Sequence, residues 1–219
     1  MSMTSDETAL LIREGIKDDN LHNPFITYMR EKNAYSIGPT PTPMGWAFYI
    51  VPFVNAMVRS GTLDEQELLF NSFLEYRAFQ EIPSTKRGCK GEFEKLVEQA
   101  VRTATNVKAR QTKAQDAAME ILERRIEKDH MLDNKVLLFL MDKGEISPNI
   151  AGLVANKIMA KYQRPVCVLT RQEENTLPWE SEQEIEVTYA GSARGCALVG
   201  ATDFRAINER FDGTVYAQG

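Results

Sequence analysis

The feature that most constrains this chain is a run of apolar residues that recur every three or four positions, without a proline, between Phe93 and Ile126. This spacing lays one apolar stripe along a helix, so we predict a single helix, broken at most once, from near Glu92 to near Lys128. At 1.5 Å per residue it would reach on the order of 50 Å, wider than a small domain, and such a helix usually joins two lobes. The apolar positions are Phe93, Leu96, Val97, Ala100, Val101, Ala104, Val107, Ala114, Ala118, Ile121, Leu122 and Ile126.

Different patterns precede this helix. Residues 23–45 are rich in proline, glycine, threonine and aromatic residues, which predicts an ordered loop that feeds a short strand at residues 46–51. Thr62 is followed three residues later by Glu65, and this pair predicts a capping box that opens a short helix. Residues 84–91 predict a basic loop flanked by glycines.

The pattern after the long helix changes to alternating strands and helices. Residues 136–141 form an apolar run, Ser147 and Pro148 suit a helix cap and a first helical residue, and a second apolar run follows at 165–170. We therefore predict a β-α-β unit whose helix reaches Tyr162. Such units cross over right-handedly, which makes the two strands parallel members of one sheet.

A third strand is expected further along the chain. Residues 184–189 alternate polar and apolar side chains, which predicts a strand with one wet face after an acidic loop at 173–183. The sequence Gly-Ser-Ala-Arg-Gly, residues 191–195, would lie at the end of this strand. Thr202 is expected to cap a last short helix that runs to about Arg210.

These elements predict an α/β protein in three parts. We expect a partial, mainly helical lobe at residues 1–90, a long connecting helix at 91–130, and a small mixed β-sheet lobe with the β-α-β unit at 131–219. A chain of 219 residues with 43% hydrophobic residues can bury a sizeable core and suits one large or two small domains.

Composition excludes several classes of protein. No apolar run approaches the roughly 20 residues needed to span a bilayer, and the polar start has no signal-peptide core, so we expect a soluble, cytoplasmic protein without membrane partners. Three widely separated cysteines favour neither a disulfide framework nor a CxxC metal site. Two histidines cannot build a His-rich metal or catalytic cluster.

The formal net charge of −5 argues against a protein that binds nucleic acid over its whole surface, because that affinity comes mainly from basic side chains. The charge is unevenly distributed, however. Residues 84–125 hold ten Lys/Arg and six Asp/Glu, a local +4, whereas residues 171–186 hold one Arg and six Glu, a local −5. Ordinary solvated surface is the alternative interpretation of both stretches.

Two small groups are candidate phosphate contacts. Gly191, Ser192 and Arg194 combine close backbone approach, a hydroxyl and a guanidinium, which together can hold a phosphate or carboxylate. The alternative is a glycine-rich turn with a surface arginine. Asn55 and Arg59 are four residues apart, so on a helical turn they share one face and can bind a phosphate and its neighbour. Alternatively, Asn55 caps a short helix and Arg59 faces solvent.

The basic loop adds Lys86 and Arg87 as candidate contacts to a phosphate backbone, and an ordinary solvated loop is the alternative. Six aromatic side chains are candidates for stacking on bases, although burial is the commoner fate: Phe25, Tyr28, Tyr35, Trp46, Phe48 and Tyr49. No Walker-type phosphate loop, GxSxG or HExxH motif is present in the sequence.

Taken in order, several blocks resemble RecJ-like proteins of the DHH phosphoesterase superfamily, particularly the recombination nucleases of phages and prophages. The blocks are Pro-x-x-Asn-Ala-x-x-Arg-x-Gly at 52–61, the long helix, Ile-Ala-Gly-Leu-Val-Ala at 150–155, Tyr-Gln-Arg-Pro-Val-Cys-Val-Leu at 162–169 and Gly-Ser-Ala-Arg at 191–194. The resemblance extends from about Asn23 to the end and depends on the order and spacing of the blocks. Val58 and Gly195 depart from the glycine and serine that many members have there.

The resemblance implies a two-lobed enzyme that degrades single-stranded DNA from a 5′ end with Mn²⁺ or Mg²⁺. In the family the metals are held by aspartates and histidines of a preceding segment, and a Gly-His block follows; neither is found in this sequence. We therefore expect a fragment without catalytic or metal-ligating residues that does not turn over alone. Expected partners are single-stranded DNA and recombination or replication proteins.

The resemblance also assigns roles residue by residue. Asn55 and Arg59 match positions that approach the active cleft, and Gly191, Ser192 and Arg194 match the loop that holds substrate phosphate. Two other functions stay open: a phosphodiesterase for short oligonucleotides or cyclic dinucleotides, and a non-catalytic interaction module that uses the long helix to dock a partner. Affinity should rise with strand length if the chain holds DNA in a groove, whereas a small pocket for short substrates should show no such increase.

Overall fold

The computed structural model describes residues 5–17, 20–38, 42–172, 188–200 and 204. Within it the chain divides into two compact units, Met1–Gln111 and Thr112–Gly219. The division falls inside a helix, so we describe each unit by itself and refer to them as the first and second unit. The α/β fold class predicted from the sequence is confirmed, whereas the three-part functional division stays a prediction.

The first unit is mainly helical. Its elements are α1 (Asp6–Gly15), α2 (Pro24–Lys32), α3 (Ala34–Ile37), α4 (Pro43–Tyr49), α5 (Val51–Ser60), α6 (Leu63–Phe73), α7 (Glu75–Ala78), β1 (Glu81–Pro83), β2 (Phe93–Lys95) and the first half of α8 (Leu96–Lys128). Its core consists of Phe25, Met29, Ala56, Met57, Leu69, Ala78, Val97, Ala100, Val101, Ala104 and Val107. The apolar residues of α8 in this core are among those that the spacing singled out, although Gln111 is buried as well and the predicted position Ala114 is exposed.

The long helix is confirmed as one unbroken element of 33 residues. It begins at Leu96, about one turn after the predicted start, because Phe93, Glu94 and Lys95 pair with β1 instead. In this antiparallel pair Ile82 lies opposite Glu94 and Pro83 opposite Phe93. The predicted basic loop is thus the connection of a β-hairpin.

The ordered loop predicted for residues 23–45 is wrong, because α2, α3 and the start of α4 lie there. The strand predicted for residues 46–51 is also wrong, because those residues belong to α4 and the start of α5. Helix α4 begins here because the Thr42 hydroxyl accepts a hydrogen bond from the Gly45 backbone N–H at 3.0 Å, and Pro43 occupies the first turn, where its missing N–H costs nothing. Strong start signals therefore override an aromatic and β-branched composition that favours strands.

The capping box is confirmed at the start of α6. The Glu65 backbone N–H donates to the Thr62 hydroxyl at 3.3 Å, and the Thr62 N–H donates to the Glu65 carboxylate at 2.8 Å. Arg110 of α8 also donates to the Glu65 carboxylate at 2.7 Å. The helix end is therefore tied to α8 within the first unit.

The second unit contains the predicted β-α-β arrangement. Its elements are the second half of α8, β3 (Leu137–Met141), α9 (Pro148–Tyr162), β4 (Val166–Arg171) and β5 (Tyr189–Arg194), with 3₁₀ turns at Met131–Asp133 and Ala197–Val199. The sheet order is β3-β4-β5, with β3 parallel to β4 and β5 antiparallel to β4. Its core is formed by Ala118, Leu122, Ile126, Leu137, Phe139, Met141, Ile146, Ile150, Ala151, Val154, Ala155, Ile158, Val166 and Val168.

The third strand is placed differently from the prediction. Strand β5 begins at Tyr189, and Gly191 and Arg194 lie inside the strand rather than beyond its end. Pairing with β4 sets this position, since Arg194 lies opposite Val166 and Tyr189 opposite Arg171. The predicted acidic loop, residues 184–187 of the predicted strand and the helix expected after Thr202 lie outside the described residues, apart from Phe204. None of the helices in the described part of the chain has the length and apolar character to cross a bilayer.

Candidate functional site

Strand β5 presents alternate residues of the candidate phosphate-binding motif on opposite faces of the sheet. Ser192 lies opposite Val168 and Arg194 opposite Val166, and both valines are buried. Side chains on opposite positions of neighbouring strands share a face. Ser192 and Arg194 are therefore on the face that α9 covers, whereas Gly191 belongs to the other face.

A glycine in α9 allows these two side chains to approach the helix backbone. A Cβ placed on Gly152 would lie 2.6 Å from Arg194 Nη2 and 3.2 Å from Ser192 Oγ. The hydroxyl and the guanidinium thus converge on the same point of α9. Sequence reasoning recognised Gly152 only as part of the block at 150–155, because its pairing with β5 depends on tertiary packing.

Within the described residues, most N–H donors of the Arg194 guanidinium have no protein partner. Its Nη1 donates to the adjacent Ala193 carbonyl at 2.7 Å, and the side chain is half-buried. Among the described residues no carboxylate is paired with this arginine. A guanidinium with open donors beside a serine hydroxyl suits an oxyanion such as a phosphate.

The third member of the motif, Gly191, has a packing role. A Cβ at this position would overlap the Val168 carbonyl oxygen and would lie 2.8 Å from Leu169 Cα. Only glycine therefore permits β5 to approach β4 as closely as it does. This close pairing sets where Ser192 and Arg194 stand.

Asn55 and Arg59 share the solvent-exposed side of α5 in the first unit. Ala56 and Met57 on the opposite side are buried in the core, which fixes the orientation of the helix. Neither Asn55 nor Arg59 has a hydrogen-bonding or ion-pair partner within the described ranges. Asn55 does not cap a helix, because it lies in the interior of α5.

The two candidates in the basic loop differ in their surroundings. Lys86 Nζ lies 3.1 Å from Glu94 Oε2 in an ion pair, whereas Arg87 is exposed and makes no such contact among the described residues. The loop turns at Gly88 and Gly91, whose φ angles of 88° and 91° favour glycine. Arg87 is therefore the freer cation of the two.

A buried carboxylate that sequence reasoning missed organises this loop. Glu94 is 6% exposed and receives two hydrogen bonds from Arg102, at 2.5 and 2.6 Å. The Ser84 hydroxyl donates to it at 3.0 Å and the Thr85 backbone N–H at 3.2 Å. These bonds, with Arg102 making the largest contribution, lower the pKa of Glu94 from 4.5 to about 2.

The sequence carries no simple signal for this pair. Glu94 belongs to β2 and Arg102 to α8, so they are not related by the three- or four-residue spacing of side chains on one helix.

The described residues do not fit a divalent-metal site. Among them, no group of three or more His, Cys, Asp or Glu side chains is arranged to hold a metal ion. The arrangement of Ser192 and Arg194 supports binding of an anion.

Comparison with curated proteins identifies relatives of this chain. It is 30% identical over 169 residues to a protein of Bacillus subtilis (strain 168), named provisionally as a single-strand DNA-specific exonuclease derived from the SPbeta prophage. A protein of Bacillus phage SPbeta with the same provisional activity matches over the same length and identity. The match covers 77% of this chain and 28% of each relative, so the chain spans less than a third of their length. No family model matches the sequence.

Solved structures give more distant likenesses. The exonuclease RecJ bound to manganese has a TM-score of 0.47 and 19% identity, over 74% of this chain and 34% of that chain. RecJ from Thermus thermophilus in complex with Mn²⁺ has a TM-score of 0.47 and 20% identity, over 73% of this chain and 20% of that chain. The curated relatives confirm the predicted resemblance to phage-derived exonucleases specific for single-stranded DNA.

Proposed function

We propose that this chain is the substrate-gripping part of a RecJ-like exonuclease that degrades single-stranded DNA in the 5′→3′ direction, with the catalytic metals held elsewhere in the complete enzyme. The observation that carries the proposal is the convergence of Ser192 and Arg194 on Gly152. This half-buried guanidinium has open donors and would bind a phosphate of the strand. The relatives named as single-strand DNA-specific exonucleases support the choice of substrate.

The second unit would act through three features. Arg194 supplies a two-pronged, charge-assisted contact to two phosphate oxygens. Ser192 supplies a hydroxyl donor to one of the same phosphate oxygens. Gly191 and Gly152 have no side-chain donors, but they allow β5 to pack closely against β4 and α9. This packing brings the Ser192 hydroxyl and the Arg194 guanidinium together.

The first unit would add exposed contacts. Asn55 and Arg59 can bind one phosphate and its neighbour from one side of α5, and Arg87 can bind the backbone from the basic loop. Lys86 is assigned a smaller part because Glu94 already pairs with it. The complete enzyme would use Mn²⁺ or Mg²⁺ for hydrolysis, and this chain alone is expected to bind DNA without cutting it.

Substitution of Arg194 tests the proposal. Arg194→Ala should weaken binding of the chain to a single-stranded oligonucleotide roughly 10-fold at low salt, because a charged hydrogen-bonding contact is lost. Arg194→Lys should restore only part of the affinity, since an ammonium cannot make the bidentate contact. Fluorescence anisotropy of a labelled oligothymidylate measures both values.

The control is Arg164→Ala, which removes another partly buried arginine of the second unit whose Nη1 donates to the Asn134 carbonyl. Equal affinities of Arg194→Ala and the wild-type chain, or no binding at low salt, would contradict the proposal. Equal affinity for a dinucleotide and a long strand would instead favour the phosphodiesterase for short substrates.

A further inference from the structure

The outer face of the β1–β2 hairpin inverts the usual pattern of burial. Glu94 faces inward and is 6% exposed, whereas its neighbour Phe93 faces outward and is 64% exposed. Charged residues such as Glu94 are almost never fully buried unless they are paired. The inversion means that β2 holds a phenyl ring in solvent while its carboxylate is used for anchoring.

Phe93 shares the outer face of β2 with Lys95, and the Lys95 side chain reaches a pair of aromatic residues, the partly buried Tyr28 and the exposed Phe79. Lys95, on the same outer face, places its Nζ 3.5 Å from the Tyr28 hydroxyl. The Tyr28 ring centroid lies 6.4 Å from that of Phe79, which is largely exposed. We call these four residues, Phe93, Lys95, Tyr28 and Phe79, the hairpin platform. Rows of exposed rings with basic side chains between them are typical of proteins that bind single-stranded nucleic acid.

The platform is anchored from below. The carboxylate of Glu94 is bound by Arg102 at 2.5 and 2.6 Å and by Lys86 at 3.1 Å. These contacts fix β2, and therefore the backbone that carries Phe93 and Lys95. A ring that is already ordered loses little conformational entropy when a base stacks on it.

The charge around the platform has the sign that a polyanion requires. With Glu94 paired to Arg102 and Lys86, the remaining outward charges of residues 81–95 are the three cations Arg87, Lys90 and Lys95 and the two carboxylates Glu81 and Glu92, a net +1. Glu81 lies opposite Lys95 in the ladder, but the Lys95 ammonium contacts Tyr28. Electrostatics therefore favours a nucleic acid over an uncharged, apolar protein surface as the partner of this face.

We propose that the hairpin platform is a base-stacking subsite for single-stranded nucleic acid in the first unit. Bases stack on Phe93 and on the Tyr28–Phe79 pair, Lys95 lies between them, and Arg87 and Lys90 bind neighbouring phosphates. The inference rests on the proposed function for its ligand class. It adds recognition of bases, which the phosphate contact at Arg194 does not provide.

Variants of Phe93 in the intact chain test this subsite. Stacking on an aromatic side chain contributes enough that Phe93→Ala should weaken binding of an oligothymidylate of about 15 nucleotides roughly 5- to 100-fold. Phe93→Tyr should keep wild-type affinity, and Phe93→Leu, which stays apolar without a ring, should weaken binding. An oligomer of abasic deoxyribose phosphates should bind wild type and Phe93→Ala equally, because it offers no base.

The matched control is Phe70→Ala, which removes an equally exposed ring, 65%, from α6. Circular dichroism confirms that each variant is folded. The subsite is overturned if Phe93→Ala binds like Phe70→Ala, or if Phe93→Leu keeps full affinity, as an apolar protein-docking surface would. If Arg194→Ala weakens binding and Phe93→Ala does not, the proposed function is retained and the stacking subsite is rejected. If Phe93→Ala weakens binding and Arg194→Ala does not, the subsite is retained and the phosphate site at Arg194 is rejected.

Discussion

Replacing Glu94 by glutamine tests whether its carboxylate anchors the hairpin. The change keeps the shape of the side chain but removes the charge that Arg102 and Lys86 neutralise. A pKa of about 2 against an ordinary 4.5 corresponds to about 3 kcal/mol of stabilisation at neutral pH. The side chains of Arg102 and Lys86 are 25% and 46% exposed, so solvent screening reduces this figure. We expect Glu94→Gln to lower the free energy of unfolding by about 2 kcal/mol at pH 7.

The pH dependence gives a sharper test. Because the pKa of Glu94 is lowered in the folded state, its stabilisation is fully present above pH 4.5 and is lost as the pH falls towards 2. The difference between wild type and Glu94→Gln should therefore shrink at pH 3 to roughly 40% of its value at pH 7. Urea unfolding followed by circular dichroism at both pH values measures this difference.

Glu81→Gln is the control, since it changes an exposed carboxylate of the same hairpin. It should leave the stability within about 0.5 kcal/mol of wild type. A Glu94→Gln variant as stable as Glu81→Gln at pH 7, or a stability difference that does not change between pH 7 and pH 3, would refute the anchoring role.

Two glycine substitutions probe the second unit. Gly152→Ala should leave the melting temperature unchanged or slightly higher, because alanine is more favourable than glycine in a helix by about 1 kcal/mol. The same variant should weaken oligonucleotide binding, because its Cβ would displace Arg194 Nη2. Unchanged affinity would argue against a site at this point of α9. Gly191→Ala should lower the free energy of unfolding in urea by about 2 kcal/mol, because its Cβ would overlap the backbone of β4. The control Gly15→Ala should change this free energy little, because a Cβ added there meets nothing within 4 Å. Equal stabilities of these two alanine variants would show that β5 can shift to make room.

The elements that the sequence predicted best are those whose packing follows a local period. Helix α8 buries Val97, Ala100 and Ala104, which recur at helical spacing, so its apolar stripe was visible without knowledge of its neighbours. The capping box at Thr62 and the start of α9 at Pro148 were also local signals. The β-α-β unit was predicted from the apolar runs on either side of α9, because a helical crossover joins parallel strands.

The β-hairpin was not predictable in the same way. Each of its strands has three residues, too few for alternation to be recognised, and β1 contains Pro83, which usually argues against a strand. Phe93 also fits the spacing of α8, so the sequence pattern extended the helix over β2. Pairing between β1 and β2, with Glu94 buried against Arg102, decided the structure there.

The roles of the candidate site residues stay a prediction, but their placement differs from what the sequence indicated. Ser192 and Arg194 were predicted as phosphate contacts in a turn beyond a strand, whereas both lie in β5. The register with β4 depends on Gly191 meeting the Val168 backbone, and the approach to α9 depends on Gly152. Both are contacts between distant parts of the sequence, which local patterns do not encode.

A chain with a net negative charge can still bind a polyanion if its carboxylates form internal ion pairs while some of its cations face solvent. The most deeply buried carboxylate of the hairpin, Glu94, neutralises Arg102 internally and leaves Arg87 and Lys90 facing solvent. Arg194 likewise has no carboxylate partner in the part of the chain that the structure describes. Three such phosphate contacts would give a salt dependence near −2 in the logarithm of affinity against the logarithm of salt concentration. Binding through so few charges is weak at physiological salt, so base stacking on the hairpin platform would have to supply much of the affinity for single strands.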